Sequence, residues 1–206
     1  MNGHHMNKGR TMKYQALILL GLLTVVAGCA TTPPSRLYLL NSQSPPQALH
    51  SDQTMAVGVD LQVEVADYLD RPHILVRKGE HRLSLSELDR WAEPLSRMLT
   101  RVLRQELTAN LASIGQSVDF QKAGNVKYRL VINILRLDGI PGHQVNLKAQ
   151  WRIQSAERDA KVVRFFVSNE EVQGPGIQGL VDAHNRAVLA LGDEISDALG
   201  HMLQSR

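Results

Sequence analysis

Val145, Leu147, Ala149, Trp151 and Ile153 alternate with Gln144, Asn146, Lys148, Gln150 and Arg152. A strand turns successive side chains to opposite faces, so this run fits a strand with one buried and one solvated side. The same period of two passes through Val57, Val59, Leu61, Val63 and Val65, and through Tyr128, Leu130, Ile132 and Ile134. Further strands are predicted at Leu37–Leu40, at His73–Arg77 after the turn-forming Asp70-Arg71-Pro72, and around Val163, Phe165 and Val167. Gly139-Ile140-Pro141-Gly142 supplies a turn between the two longest runs, which makes them a hairpin. One-sided strands joined in this way build antiparallel sheets with a polar face toward water or a partner.

Two segments carry the period of a helix. Leu88, Trp91, Leu95, Leu99, Val102, Leu103, Leu107, Leu111 and Ile114 repeat within Ser86–Ile114, with Ser86 and Asp89 spaced as a capping box. Pro94 interrupts that run, so a short first segment and a kink or restart are expected there. Gln178 to the C-terminus places Leu180, Ala183, Ala187, Val188, Leu191, Ile195, Ala198, Leu199 and Met202 on one face. Each helix shows a single apolar stripe that needs a single cover. The predicted fold is therefore α+β, a mainly antiparallel sheet with two amphipathic helices packed on one face.

The first 28 residues follow different rules. Lys8, Arg10 and Lys13 precede the apolar run Ala16–Ala27, which is too short for the roughly 20 apolar residues a bilayer span needs. The run closes on Val26-Ala27-Gly28-Cys29, which resembles the lipobox of bacterial lipoproteins, where cleavage falls between Gly28 and Cys29 and the cysteine receives the lipid. Met6 and Met12 offer alternative starts. Cys29 is the one cysteine in the chain, so no internal disulfide can form. Two acyl chains already hold a protein stably at a membrane, and no cofactor other than this covalent lipid is expected. Ala30 follows the cysteine; by resemblance to lipoprotein sorting signals, the absence of aspartate there implies the periplasmic face of the outer membrane. The organisation predicted is a signal peptide over 1–28, a lipidated tether over 29–36 and one α+β periplasmic domain over 37–206.

Charge narrows the partners. The chain carries 23 Lys and Arg against 20 Asp and Glu, and removing the three leader bases leaves 20 against 20. A neutral mature body has no footprint for a phosphate backbone, which argues against nucleic acid. Gly174, Gly176 and Gly179 spell G-x-G-x-x-G, yet no second strand with an acidic residue follows before Arg206. Those glycines therefore read as a flexible start to the last helix. No nucleophile elbow or zinc-protease motif is present, and His50, His73, His81, His143, His184 and His201 include no pair at i, i+4. Neither catalytic nor metal-binding residues are predicted. Arg97, Arg101 and Arg104 form a basic stripe on the first helix, readable as a solvated face supported by Glu93 or as a surface for anionic headgroups or an acidic partner.

Tyr68-Leu69-Asp70-Arg71-Pro72-His73-Ile74-Leu75-Val76-Arg77 and Arg90-Trp91-Ala92-Glu93-Pro94-Leu95, behind a lipobox and a Tyr-Leu-Leu run, resemble the PqiC-like, ABC-type transport auxiliary lipoprotein family. The resemblance spans essentially the whole mature chain. It implies a non-enzymatic lipoprotein working beside a periplasmic MCE-domain protein and its inner-membrane partner, in a system that moves lipid between membranes and maintains the envelope. A lipoprotein that assembles an outer-membrane β-barrel or the lipopolysaccharide machinery is the alternative, and a homo-oligomer is open to either. Physically, Asp70-Arg71-Pro72 suits a turn into a strand, and Arg90–Leu95 a structural corner. Tyr68, Asp70, Arg71, Arg90, Trp91, Arg97, Arg101 and Arg104 are the candidate docking residues if these segments instead face a partner.

Overall fold

A computed structural model describes residues 33–43, 56–120 and 126–205. Its elements run β1 (Arg36–Tyr38), β2 (Val57–Val65), β3 (His73–Arg77), β4 (Leu83–Trp91), α1 (Leu95–Ser113), β5 (Val118–Asp119), β6 (Val126–Gly139), β7 (Gln144–Ser155), β8 (Lys161–Glu171) and α2 (Gly176–Gln204). The eight strands form one sheet, and Ser35–Arg206 clusters as one compact unit. Cys29, the candidate lipidation residue, and Gly28, which with it forms the candidate cleavage site, lie outside the described residues.

The α+β class holds, but the sheet is mixed where a mainly antiparallel one was expected. β6–β7, β7–β8 and β3–β4 are antiparallel, while β2 runs parallel to both β6 and β5, and β1 runs parallel to β4. β3 adds one parallel pair at the far end of β6, Val76 beside Gly139. Parallel neighbours need a crossover, and β3, β4 and α1 lie between β2 and β5 in the chain, giving the length to return in the same direction.

The stretch before Pro94 departs further from expectation. Ser86–Trp91 is strand, and the helix begins only at Leu95 with Pro94 as its N-cap. Proline disfavours helical backbone at the residue before it, so the helix cannot extend back through Glu93. Pairing supplies the strand's alternative: β4 bonds β3 on one side and β1 on the other. The supposed capping box is a bond within that strand, Ser86 Oγ donating to Asp89 Oδ2 at 2.6 Å.

Both helices cover the same face of the sheet and touch one another, α1 lying against β2 and α2 against β7 and β8. Leu99, Leu103 and Leu107 of α1 meet the inward residues Leu130, Ile132, Leu147 and Trp151 in one core, all fully buried. Side chains of this kind contribute roughly 1.5–3 kcal/mol each when withdrawn from water. Trp151 finds its polar partner in Glu194, its Nε1 donating to Oε1 at 3.0 Å. No helix among the described residues is long and apolar enough to cross a membrane.

β8 is inverted relative to its apolar pattern. Val163, Phe165 and Val167 are 46, 71 and 57% exposed, while Val162 and Phe166 pack against the core. Register decides this: the three sit opposite Arg152, Gln150 and Lys148 of β7, and cross-strand neighbours share a face. The G-x-G-x-x-G glycines serve the backbone. Gly174 and Gly176 take φ of 84° and 64°, and a Cβ on Gly179 would stand 2.4 Å from the Gln173 carbonyl oxygen. That spacing explains the third glycine without a cofactor.

Candidate docking surface

The two family-like segments, 22 positions apart at Tyr68 and Arg90, meet in space. β3 and β4 pair His73 with Arg90, and the Trp91 amide donates to the Pro72 carbonyl at 2.8 Å. Asp70 then reaches the start of α1, accepting the Ser96 amide at 3.1 Å on Oδ1 and the Ser96 hydroxyl at 2.9 Å on Oδ2. Pro94 has no side chain able to cap the helix, and the first turn of α1 holds no acid. Asp70 thus supplies from another segment the cap and negative charge that a helix N-terminus favours. Asp70-Arg71-Pro72 turns the chain as expected, with its carboxylate spent on the helix.

The rest of the corner is braced by buried charge. Asp138 is fully buried and accepts both Nε and Nη2 of Arg77 at 2.6 and 2.7 Å, with Arg136 Nη2 at 3.0 Å on the same carboxylate. Burial raises the cost of its charge, but the bonds from Arg77 and Arg136 outweigh that and hold Asp138 below the usual carboxylate range. Arg77 also ties the β3–β4 hairpin through Gly79 and Glu80 carbonyls at 3.0 and 2.6 Å. Tyr68 hangs its hydroxyl on the Leu135 carbonyl at 3.2 Å, and burial followed by the Asp138 charge pushes its titration up.

A second brace closes the β1–β4 edge. Asp89 is buried and takes Arg36 Nε at 2.7 Å, Arg36 Nη2 at 3.0 Å, Tyr38 Oη at 3.0 Å and the Ser86 hydroxyl. Burial opposes its charge, yet these bonds prevail and keep it low. Trp91 is buried and meets the ring of His184 edge-on at 5.8 Å. His184 is itself buried, its Nδ1 2.7 Å from the Leu180 carbonyl, and burial pushes its titration down so that the neutral ring is favoured.

The arginine stripe on α1 divides into three environments. Arg101 bends back to Glu93 at 2.8 Å and to the Leu40 carbonyl at 3.1 Å, so Glu93 supports Arg101 and not its nearer neighbour Arg97. Arg104 is half-buried, and its Nε, like that of Arg90, has no hydrogen-bond partner among the described residues. Arg97 is exposed, as is Arg71, and they flank the Asp70–Ser96 contact. Of the candidate docking residues, Arg71 and Arg97 are the exposed cations with no partner among the described residues; Tyr68, Asp70, Trp91 and Arg101 are spent on holding the corner. Sequence reasoning missed Arg77, Asp138 and Asp89, whose partners lie 61 and 53 positions away.

A cleft of about 450 Å³ opens between β1 with the residues that follow it and the first half of α2. Leu37, Leu39, Asn41, Asp182, Asn185 and Arg186 help line it. Leu37 and Leu39 are 65 and 48% exposed, whereas Arg186 is engaged by Glu170 at 3.4 Å. No group of three metal-ligating side chains occurs among the described residues. The arrangement presents an exposed surface, cations and a cleft.

Comparison with known proteins completes the description. A family model for the ABC-type transport auxiliary lipoprotein component matches residues 38–196, which includes both segments of the corner. No curated protein matches the chain in sequence. Among solved structures, protein XCC0632 from Xanthomonas campestris, of the family model DUF330, is similar at 16% identity and a TM-score of 0.63, over 83% of this chain and 99% of that one. A crystal structure described only as an uncharacterized protein is similar at 20% identity and a TM-score of 0.65, over 81% and 99%. At such identities the likeness shows the fold alone.

Proposed function

The chain belongs to the family of ABC-type transport auxiliary lipoprotein components, and from that premise we propose that it is a non-enzymatic docking subunit of an MCE-type lipid transport system. In this reading a lipid on Cys29 holds the folded body at the periplasmic face of the outer membrane, where it receives the MCE-domain protein and, through it, the inner-membrane partner. The family match over residues 38–196 carries the proposal. The leader ending in Val26-Ala27-Gly28-Cys29 supports the anchor, and the tether before the folded unit, Ala30–Pro34, extends at most about 18 Å from it. A body on so short a leash works within a molecular diameter of the bilayer.

The corner supports a role by contact. Its buried carboxylates are committed to arginines, and its exposed groups, Arg71 and Arg97, are always charged and donate in a planar fork suited to carboxylates. An acidic patch on a partner fits them. Affinity isolation of the full chain from envelopes in mild detergent tests the reading. An MCE-domain protein should co-purify, and Arg71→Glu with Arg97→Glu should reduce its recovery while leaving the fold intact. Recovery of an outer-membrane β-barrel or lipopolysaccharide-assembly protein, with no MCE-domain protein, would overturn it.

A further inference from the structure

β8 spans eleven residues and, among the described strands, bonds only β7, so its other edge carries unsatisfied backbone donors and acceptors. The ladder ends identify which residues own them. Ser155 N–H donates to Ala160 O at 2.9 Å at one end, and Val172 N–H donates to His143 O at 2.8 Å at the other. Hydrogen-bonded pairs recur at every second residue of an antiparallel ladder. With Gln144 opposite Glu171 and Gln154 opposite Lys161, the even-numbered residues of β8 therefore bond β7. The odd-numbered residues point their backbone groups at the other edge; those of Lys161 through Asn169 are unpaired among the described residues, while the Glu171 carbonyl is taken by Arg186 Nη2.

Those same odd residues carry the exposed apolar stripe of Val163, Phe165 and Val167. Long edges with exposed apolar side chains are pairing sites, which proteins usually blunt with charge or proline. Here Phe165 to Asn169 holds neither. On the odd-numbered face the charges lie at the ends, Lys161 at one and Glu171 at the other, while Arg164 and Glu170 belong to the even-numbered face with Val162 and Phe166.

We propose that β8 is the pairing edge of a twofold dimer, in which two copies of this chain join their sheets β8 to β8, antiparallel. The sequence of the strand is self-complementary about Phe166. A twofold axis there sets Lys161 opposite Glu171, Val163 opposite Asn169 and Phe165 opposite Val167, each pair occurring twice. All are odd with odd, so the free backbone groups of one copy meet those of the other, the Glu171 carbonyl alone staying with Arg186. An ion pair closes each end and an apolar stripe runs unbroken across the middle. On the helix side Phe166 faces its own copy and Arg164 faces Ser168. Centring the axis on Phe165 instead would set Lys161 against Asn169 and leave Glu171 without a partner, so charge selects the register. A contact of this kind is isologous and closes at two copies.

Native mass spectrometry and sedimentation of the full chain in mild detergent test this across about a hundredfold range of concentration, because a dimer must respond to mass action. A two-copy species is expected. Phe165→Lys alters a side chain 71% exposed, so the fold should persist by circular dichroism, and the dimer should weaken by at least about tenfold. Lys161→Glu places like charges at both ends and should also weaken it. Combining Lys161→Glu with Glu171→Lys restores opposite charges and should recover the dimer. A single-copy species throughout, a two-copy species indifferent to Phe165→Lys, or no recovery in the double swap would each overturn the proposal. Capture of another protein's strand on β8 in place of a second copy would do so as well.

Discussion

Asp70→Ala distinguishes a brace from a binding patch. Asp70 accepts two bonds from Ser96, at 3.1 and 2.9 Å, at the start of a helix whose N-cap is a proline with no side-chain cap. Loss of an N-cap acceptor costs about 1 kcal/mol. Loss of a negative charge at an exposed helix N-terminus costs about 0.3–1 kcal/mol more. Asp70 is exposed, so water replaces part of what is lost, and a total of about 1–1.5 kcal/mol is expected. For a domain of this size each kcal/mol moves the melting temperature by roughly 2–4 °C, so the variant should melt about 2–6 °C lower. Asp70→Asn keeps an acceptor and loses the charge, and should recover about half of the deficit. Thermal unfolding followed by far-ultraviolet circular dichroism reads all three. If Asp70→Ala melts with the parent protein yet loses its transport partner, Asp70 itself is a docking residue and its assignment as a brace fails.

Other residues give separate readings. Asp138→Asn removes the charge shared by Arg77 and Arg136, and breaking a buried pair of this kind should cost roughly 3 kcal/mol, measurable by urea unfolding. Because the folded Asp138 titrates below its ordinary 3.8, its stabilisation is complete above that value and disappears as the pH falls through the depressed one. His184 acts at higher pH. Its folded titration is lowered by burial while the unfolded chain takes up a proton near 6.5, so below that pH the unfolded state binds more protons and stability falls. The slope should approach about 1.4 kcal/mol per pH unit from this group, and melting temperatures between pH 7 and pH 5 should flatten in His184→Gln. Gly179→Ala drives a methyl against the Gln173 and Gly174 carbonyls and should cost roughly 1–3 kcal/mol in chemical denaturation, with no cofactor needed to explain it.

The parts of the fold legible in sequence are those fixed by local period. β2 falls on Val57–Val65, the residues its alternation marks, and β3 on His73–Arg77, the β-rich run behind the Asp70-Arg71-Pro72 turn. The β6–β7 hairpin follows from Gly139–Gly142 and the flanking runs. What the pattern could not supply is what distant residues decide. Leu88, Trp91 and Leu95 fit a helical period, but β1 and β3 flank Leu83–Trp91 and make it a strand. Val163, Phe165 and Val167 look like a buried face, and only their register against Lys148, Gln150 and Arg152 turns them outward.

The corner around β3, β4 and α1 shows the same division. Its two segments were marked by resemblance, and Asp70, Tyr68 and Trp91 are indeed brought together around β3, β4 and α1. Their bonds run to Ser96, Leu135 and Pro72, partners that no spacing rule joins. The buried arginine–aspartate pairs were invisible for the same reason. A charged residue in a strand reads as solvated until a fold places its counter-charge beside it.

The proposed function requires a covalent lipid on Cys29 to hold this body against a membrane. Mass spectrometry of the N-terminal peptide from protein isolated out of the native envelope measures that directly. The predicted result is a chain beginning at Cys29, its sulfur carrying a diacylglyceryl group and its amine acylated. A chain that retains residues 1–28, with an unmodified thiol at Cys29, would contradict it.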